Sequence, residues 1–357
     1  MYKDRILKLR EKMSDKEIDA AFLTNDHNRN YLSGFTSNES YSLITMSKAF
    51  FITDSRFIEQ AKQQVKDYEL MEYSKNKTLA EFMADLIKKN GINKLGFEED
   101  NTSFKEYINY KDKFKCDLVP LEGMVEELRV IKDHDEISIM RKAALIADNA
   151  FDHIVKYIKP GMTEVEIGLE LEMFMKKSGA SGLSFPSIVA SGLRSSLPHG
   201  EATDKRVLEG EFLTLDYGCV YKSYCSDMTR TLVVGKPTEK MVEIYSIVLE
   251  AQERASKAYK PGMLAVDVDK IARDYISKKG YGEFFGHSLG HGVGREVHEA
   301  PTIGYRNASA LKAGMVVTNE PGIYLPGFGG VRIEDILVVT KDGCEILSKS
   351  PKDLICI

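Results

Sequence analysis

The sequence has no apolar run long enough to cross a bilayer, which sets aside a protein anchored by membrane-spanning helices. Its first residues, Met1-Tyr-Lys-Asp-Arg5, lack the apolar core of a secretory signal, so a cytoplasmic protein that does not engage a membrane is expected. Cysteine is sparse: Cys116, Cys219, Cys225, Cys344 and Cys356 are odd in number and form no CxxC pair. Reduced thiols in a cytoplasm are expected in preference to a disulfide framework. Positive charge is not in excess either. Against 54 Asp and Glu there are 49 Lys and Arg, a net charge of −5, which argues against a nucleic-acid partner. What remains is ordinary for a soluble globular chain, and 357 residues exceed what one small core usually holds. Two domains are expected.

The first part of the chain alternates helix and strand signals. Residues 4–12 are amphipathic, 58–65 and 78–89 read as helices, and 20–24, 41–45, 49–53 and 94–97 read as strands. Tyr31-Leu-Ser-Gly34 reads as a turn. This alternation predicts a layered α/β domain, with a boundary near Leu121-Glu-Gly123 that gives domains 1–122 and 123–357. His27, Asp54 and Arg56 have no partner at a catalytic spacing and read as turn or rim residues. Beyond the boundary, long helical material over 125–157 leads into Lys159-Pro-Gly-Met162, and Thr163 then caps a helix running to Lys177. A strand over 185–190 and a loop at Leu197-Pro-His199-Gly200 follow, and the second half repeats helical material over 239–259 and 266–279.

The chain is organised around Leu213-Thr-Leu-Asp216-Tyr-Gly218 and Ser226-Asp227-Met-Thr-Arg-Thr-Leu232, two apolar, β-branched runs with one carboxylate each. A hairpin about Tyr221-Lys222 would set Asp216 and Asp227 opposite each other, with Cβ atoms roughly 4.5–5.5 Å apart. Carboxylates that close repel unless a proton or a metal lies between them. The bland reading is two unrelated acids, one in a turn and one at a strand edge. It loses ground because the chain repeats the arrangement. Gly210 precedes Asp216 by six positions and Gly218 follows by two; Gly314 and Gly322 stand in the same relation to Glu320. Glu334 follows the turn-rich Pro326-Gly-Phe-Gly-Gly330, and Gly327 lies midway between Glu320 and Glu334. Lys159-Pro-Gly-Met162 recurs as Lys260-Pro-Gly-Met263, and the copies are offset by 101, 104 and 107 residues for the three features. Two homologous halves, each supplying two carboxylates to one shared site, account for that order.

The run from Gly286 to Glu299 holds His287, His291 and His298. Its Gly290-x-Gly292-x-Gly294 lacks the spacing and strand-turn-helix setting of a dinucleotide cradle. A lone histidine is more often structural, but three within twelve positions, between two carboxylate pairs, favour chemistry. Four carboxylates and one imidazole exceed what one zinc needs. They fit two divalent ions with bridging carboxylates, Mn²⁺ first, with Co²⁺ or Zn²⁺ as alternatives. Two such ions about 3.5–4 Å apart share a water, lower its pKa and clamp a tetrahedral intermediate. The remaining histidines would donate hydrogen bonds or move protons. Cys219 and Cys225 flank the hairpin turn; strand packing is the reading, ligation the alternative.

Asp216, Asp227, His291, Glu320 and Glu334, set in Leu-Asp-Tyr-Gly, Ser-Asp-Met-Thr-Arg, Gly-His-Gly-Val-Gly, Asn-Glu-Pro-Gly and Arg-Ile-Glu-Asp, resemble the five metal ligands of the pita-bread metallopeptidases. Asn30-Tyr-Leu-Ser-Gly-Phe35, Thr53-Asp-Ser-Arg56 and the linker Leu128-Arg-Val-Ile-Lys132 resemble the branch of Xaa-Pro aminopeptidases and Xaa-Pro dipeptidases (prolidases). The resemblance spans nearly the whole chain. It implies a creatinase/prolidase-like N-terminal α/β domain and a pita-bread catalytic domain with an internal pseudo-twofold repeat. It also implies peptide substrates with proline at the second position, and a homodimer. Asp227, His291 and Glu320 would hold one ion with Glu334 bridging; Asp216 would chelate the other, and Asp227 would bridge as well. Glu320 would shuttle the proton of the nucleophilic hydroxide, and His199 and His298 would contact substrate and stabilise the intermediate. His287 matches a further pocket histidine, and Arg332 would orient Asp216.

One departure bears on specificity. Many dipeptidases of this type carry an Arg shortly after the His-Glu pair to hold the substrate's free carboxylate, whereas this chain runs His298-Glu-Ala-Pro-Thr302 and next offers Arg306. A carboxylate taken out of water needs such a partner. The expectation is therefore an aminopeptidase acting on longer Xaa-Pro peptides. Prolidase is the alternative, with Arg306 or Arg56 of the partner subunit as a substitute clamp. Outside the enzyme class stands a non-enzymatic peptide-binding module, which typically loses metal ligands; all five are present here.

Overall fold

The computed structural model describes residues 1–74 and 76–357. It divides into two units, Met1–Arg129 and Val130–Ile357. The division falls a few residues later than the boundary expected at 122/123, because Met124 and Val125 of the helix Met124–Val130 are buried in one cluster with Leu9, Met13 and Leu121.

The N-terminal unit is built on a six-stranded sheet in the order Glu69–Glu72, Ala49–Thr53, Ser40–Thr45, Ala20–Leu23, Lys94–Phe97, Asp117–Pro120. The central strand Ala20–Leu23 runs antiparallel to Ser40–Thr45 and parallel to Lys94–Phe97. All four of its residues are buried because alternate side chains feed two cores: Ala20 and Phe22 join Phe50, Met83 and Leu95, while Ala21 and Leu23 join Leu9, Leu32 and Val125. This is the layered α/β arrangement that the alternating signals predict. One local expectation fails, and one helix is additional to those expected. Residues 31–33 end a helix, Asp26–Ser33, which the Asn25 side chain caps and Gly34 stops in a left-handed conformation at φ 80°. The helix Phe104–Phe114 was not foreseen, although Ser103 and Glu106 form a capping box at its start. Asp54 accepts the Arg56 N–H at 2.8 Å, as suits a turn residue, and His27 lies in the first turn of the helix Asp26–Ser33.

The second unit consists of two halves of the same design. In the first, the helices His134–Tyr157 and Glu164–Lys177 pack Ala147, Phe151, Ile167 and Leu171 against Leu213, Leu215 and Leu232 of the strands Phe212–Tyr217 and Met228–Val233. In the second, Glu239–Ser256 and Ala265–Lys278 set Val248, Ala251, Val268 and Ala272 against Val317, Leu337 and Val339 of the strands Val316–Asn319 and Asp335–Val339.

The backbone repeats as closely as the sequence does. The Gly161 N–H donates to the Val207 carbonyl and Val207 N–H to Met162; Gly262, Leu311 and Met263 make the same pair of bonds in the second half. The bridges Thr163↔Arg206 and Leu264↔Ala310 follow in each copy. Each Lys-Pro-Gly-Met turn is thus tied to the segment that leads into a carboxylate strand. Gly161 and Gly262 adopt φ 93° and 84°, where a side chain would strain the turn.

Candidate active site

The first carboxylate pair is set by a strand ladder. Asp216 lies in Phe212–Tyr217 and pairs with Thr229, not with Asp227. The turn centres between Lys222 and Ser223, whose φ values of 47° and 64° suit a tight hairpin, one position later than expected. Asp227 is therefore a diagonal neighbour of Asp216 rather than its direct opposite. It occupies the gap between the strands Tyr224–Cys225 and Met228–Val233. Gly218 makes that gap workable: a Cβ there would stand 1.9 Å from the Ser226 carbonyl oxygen. In the second half the pairs Asn319↔Asp335 and Gly322↔Arg332 flank Glu320 and Glu334, which share one register position. Gly327, at φ 78°, sits at the middle of that hairpin, where the sequence placed it.

All nine residues singled out from the sequence line one cavity of about 310 Å³. His291 Nε2 lies 3.2 Å from Glu320 Oε1 and 3.6 Å from Asp227 Oδ2. Its Nδ1 lies 3.0 Å from the Gly292 carbonyl, which can only accept, so Nδ1 carries the proton and Nε2 faces the acids. Asp227, His291 and Glu334 each offer a donor atom within 4.8 Å of the other two. Hydroxyls fix the glutamates: Thr229 donates to Glu334 at 2.6 Å and Thr318 donates to Glu320 at 2.9 Å. Arg332 donates to Asp216 Oδ2 at 2.5 Å, to the Tyr324 hydroxyl at 2.8 Å, and to Thr229 and the Pro198 carbonyl at 3.1 and 3.2 Å.

Burial, and then the neighbouring carboxylates, push Asp227 and Glu334 well above the usual carboxylate range. Burial also raises Asp216, against the charge of Arg332. Burial opposes ionisation of His291 and Glu320 too, but their mutual hydrogen bond and charges prevail. His291 is raised to about 9 and Glu320 is lowered to about 2.

The donor set fits divalent cations. Asp216 Oδ1 is buried with no hydrogen-bond partner, which is costly for a carboxylate oxygen. Five acids line the cavity, and Arg332 is the only permanent cation among the described residues lining it. Oxygen donors with a single imidazole suit hard or borderline divalent ions.

The histidines divide by geometry. His298 lies edge-on to His291 with ring centres 4.3 Å apart. His199 and His298 sit exposed at the rim, and neither side chain makes a hydrogen bond to the described residues. His287 differs: its Nδ1 donates to the Ser288 carbonyl at 2.8 Å and its Nε2 accepts from Tyr324 at 2.9 Å. Burial pushes His287 below its ordinary pKa. With both nitrogens engaged, it forms wall and anchors Tyr324 rather than offering a free acid or base. Tyr324 escaped the sequence reading. Its signal was its place four residues after Glu320 along an extended segment, hence on the same face.

Cys219 and Cys225 do not line the cavity; they are buried, with thiols 3.6 Å from the Ala143 and Arg295 carbonyls. Burial raises them to about 11 and about 12, so strand packing is their role. Arg306 is exposed, 5.2 Å over the Tyr305 ring, and neither it nor Thr302 lines the cavity.

Residues 138–341 match metallopeptidase family M24, and residues 5–131 match the creatinase/prolidase N-terminal domain. The chain belongs to metallopeptidase family M24. It carries the two domains expected from the sequence, and as an M24 peptidase it is a hydrolytic enzyme, which sets the binding-module reading aside. Membership of M24 implies divalent metal ions. The solved Xaa-Pro dipeptidase of Bacillus anthracis superposes with a TM-score of 0.97 at 48% identity, covering 100% of both chains. An X-Pro aminopeptidase of Thermotoga maritima gives a TM-score of 0.91 at 41% identity, covering 97% of this chain and 100% of its own. The Xaa-Pro dipeptidase of Pyrococcus horikoshii is 41% identical over 99% of each chain. M24 relatives this similar thus bear both activities in their names, so the choice falls to the site. Among the described residues, no helix is long and apolar enough to cross a membrane.

Proposed function

We propose that this M24 peptidase is an Xaa-Pro aminopeptidase, releasing the N-terminal residue that precedes proline from peptides longer than two residues. The observation that carries this is the cavity's charge inventory. Among the described residues Arg332 is the permanent cation lining it, and Arg332 is already committed to Asp216, Tyr324 and Pro198. A dipeptide's free carboxylate, buried in a cavity lined by five acids, would have no partner among the described lining residues, and an unpaired buried charge is costly. A longer peptide carries that carboxylate out of the site. The second reading, prolidase, is favoured by the names of the Bacillus anthracis and Pyrococcus horikoshii relatives.

Asp216, Asp227, His291, Glu320 and Glu334 would hold two divalent ions, Mn²⁺ first and Co²⁺ or Zn²⁺ as alternatives. When bound, the ions supply an acidified water and positive charge for the developing oxyanion. The chain supplies the rest. Arg332 fixes Asp216 through Oδ2 and leaves Oδ1 free to bind. Glu320, held at Oε1 by the Thr318 hydroxyl, accepts the proton of the attacking water and returns it to the prolyl nitrogen as the peptide bond breaks. That nitrogen carries no hydrogen in the substrate, so it leaves only when protonated. His199 and His298, free at the rim, donate to the scissile carbonyl and steady the intermediate. His287 holds Tyr324, which in turn accepts from Arg332. A cytoplasmic homodimer completes the reading; it rests on composition and on the resemblance.

The test is hydrolysis by Mn²⁺-loaded protein of Ala-Pro-Ala against Ala-Pro, with Ala-Ala-Ala as control. Cleavage of the tripeptide before proline, with little on the dipeptide, is expected. Preference for Ala-Pro makes the protein a prolidase.

A further inference from the structure

We propose that Glu164 is the positioning residue that sets His199 into the cavity, an inference that rests on the substrate-contacting role of His199 above. Glu164 opens the helix Glu164–Lys177, far in sequence from every residue of the site, and its side chain is fully buried. A buried carboxylate is costly unless donors surround it, and this one has five. Its Oε1 accepts from the Ser191 N–H at 2.8 Å and the Ser191 hydroxyl at 2.9 Å. Its Oε2 accepts from Arg194 Nε at 3.0 Å, the Thr203 N–H at 3.1 Å and the Thr203 hydroxyl at 2.8 Å.

Those donors lie at the two ends of one loop. Ser191 closes the strand Ile188–Ser191 and Arg194 sits in the 3₁₀ turn Gly192–Ser196; Leu197-Pro198-His199-Gly200 follows, and Thr203 ends the excursion. Glu164 staples the loop at its base. Arg194, while bound to Glu164, also donates to the Glu201 carbonyl at 2.5 Å and so reaches across it. The His199 side chain makes no hydrogen bond of its own to the described residues, so its place is inherited from this backbone. The same loop presents the Pro198 carbonyl to Arg332.

The internal repeat shows that the scaffold does not need the acid. Glu164 N–H donates to Lys205 and Val165 N–H to Thr203; in the second half Ala265 N–H donates to Ser309 and Val266 N–H to Asn307. Ala265 thus holds the place of Glu164 with the same backbone bonds and no carboxylate. The loop bearing His298 has its own staple: Glu299 accepts the N–H groups of Arg295 and Glu296 and pairs with Lys132 at 3.0 Å. Each rim histidine is carried by a loop pinned to a buried acid.

A double-mutant cycle on the Mn²⁺-loaded full-length enzyme tests this with Ala-Pro-Ala as substrate. In Glu164→Gln one oxygen becomes an NH₂ group that must face N–H and O–H donors, so the loop base opens. Misplacing a catalytic group by about 1 Å costs on the order of 10²-fold. The expectation is that E164Q lowers kcat/KM about as far as His199→Ala, keeps its bound Mn²⁺, and adds no further loss in the H199A background. Thr203→Val, which removes a single donor, is the milder variant should E164Q fold poorly; its smaller loss must also vanish in H199A. Effects of E164Q or T203V that multiply with H199A would overturn the inference, as would a folded E164Q enzyme with wild-type kcat/KM. An H199A enzyme with full activity would overturn the role of His199 and the inference together; an impaired H199A beside an intact E164Q overturns the inference alone.

Discussion

Replacing Gly218 by Ala adds one methyl group where two backbone segments touch. A Cβ there stands 1.9 Å from the Ser226 carbonyl oxygen and 2.7 Å from its carbon. Carbon and oxygen in close contact sit about 3.3 Å apart, so the segments must separate by roughly 1.4 Å. No rotamer change relieves the clash, because the atoms met are main chain. Ser226 cannot drift freely, since its N–H donates to Cys219 at 2.8 Å and its carbonyl accepts from Ser184 at 2.8 Å. The displacement passes to the next residue, Asp227. Strain of this kind costs about 1–3 kcal/mol, or about 2–4 °C in Tm for each kcal/mol in a domain of this size. Shifting Asp227, here proposed to hold metal, by about 1 Å is expected to lower kcat/KM on the order of 10²-fold. Gly182, in the neighbouring strand Gly182–Leu183, has open space at its Cβ position, so Gly182→Ala serves as the control. Thermal unfolding, Mn²⁺ titration and Ala-Pro-Ala hydrolysis read the three effects. A Gly218→Ala protein with wild-type Mn²⁺ affinity and turnover would refute the assignment of Asp227 and the argument from close approach.

Thr302→Arg places a guanidinium shortly after His298 and is expected to raise kcat/KM for Ala-Pro about ten- to hundredfold relative to Ala-Pro-Ala, the worth of one charge-assisted hydrogen bond; an unchanged ratio counts against a missing carboxylate clamp. Metal binding should release protons, because the metal-free site holds them on Asp227, Glu334 and His291. Calorimetry in two buffers of different ionisation enthalpy measures the release, and a buffer-independent heat contradicts it. The same shifts fix the sign of stability against pH. His291 rises from 6.5 unfolded to about 9 folded, so its stabilisation is complete below pH 6.5 and lost as pH climbs toward 9. Asp227 and Glu334, also raised on folding, act in the same direction, so the Tm of metal-free protein should fall between pH 6.5 and 9; a Tm that holds or rises across that window would contradict the raised His291.

That Asp216, Asp227, His291, Glu320 and Glu334 meet in one cavity was legible because they sit in short strand contexts and because the chain repeats them. The second hairpin could be centred from sequence alone, since Glu320 and Glu334 share a register position about a glycine. The first could not. Equal spacing suggested that Asp216 faced Asp227, but Lys222 and Ser223 take the left-handed turn positions and move the register one step. Neither is glycine or asparagine, so no local signal marked them. Glu164 and Tyr324 were missed for another reason: what matters about them is which distant groups they meet. Glu164 is the first residue of its helix, yet its carboxylate serves Ser191 and Thr203. The helix Phe104–Phe114 does carry a local signal, the capping box of Ser103 and Glu106. No arginine closely follows His298-Glu299, and among the described residues lining the cavity Arg332 is the only one.

The central claim is that Asp216, Asp227, His291, Glu320 and Glu334 form one two-ion centre that does the hydrolysis. Mn²⁺ stoichiometry by equilibrium dialysis, measured beside Ala-Pro-Ala turnover for the wild type and Asp227→Asn, tests it most directly. Two ions per chain in the wild type, loss of both metal and turnover in Asp227→Asn, and an unchanged circular dichroism spectrum are predicted. An Asp227→Asn protein that keeps two ions and full activity contradicts the account.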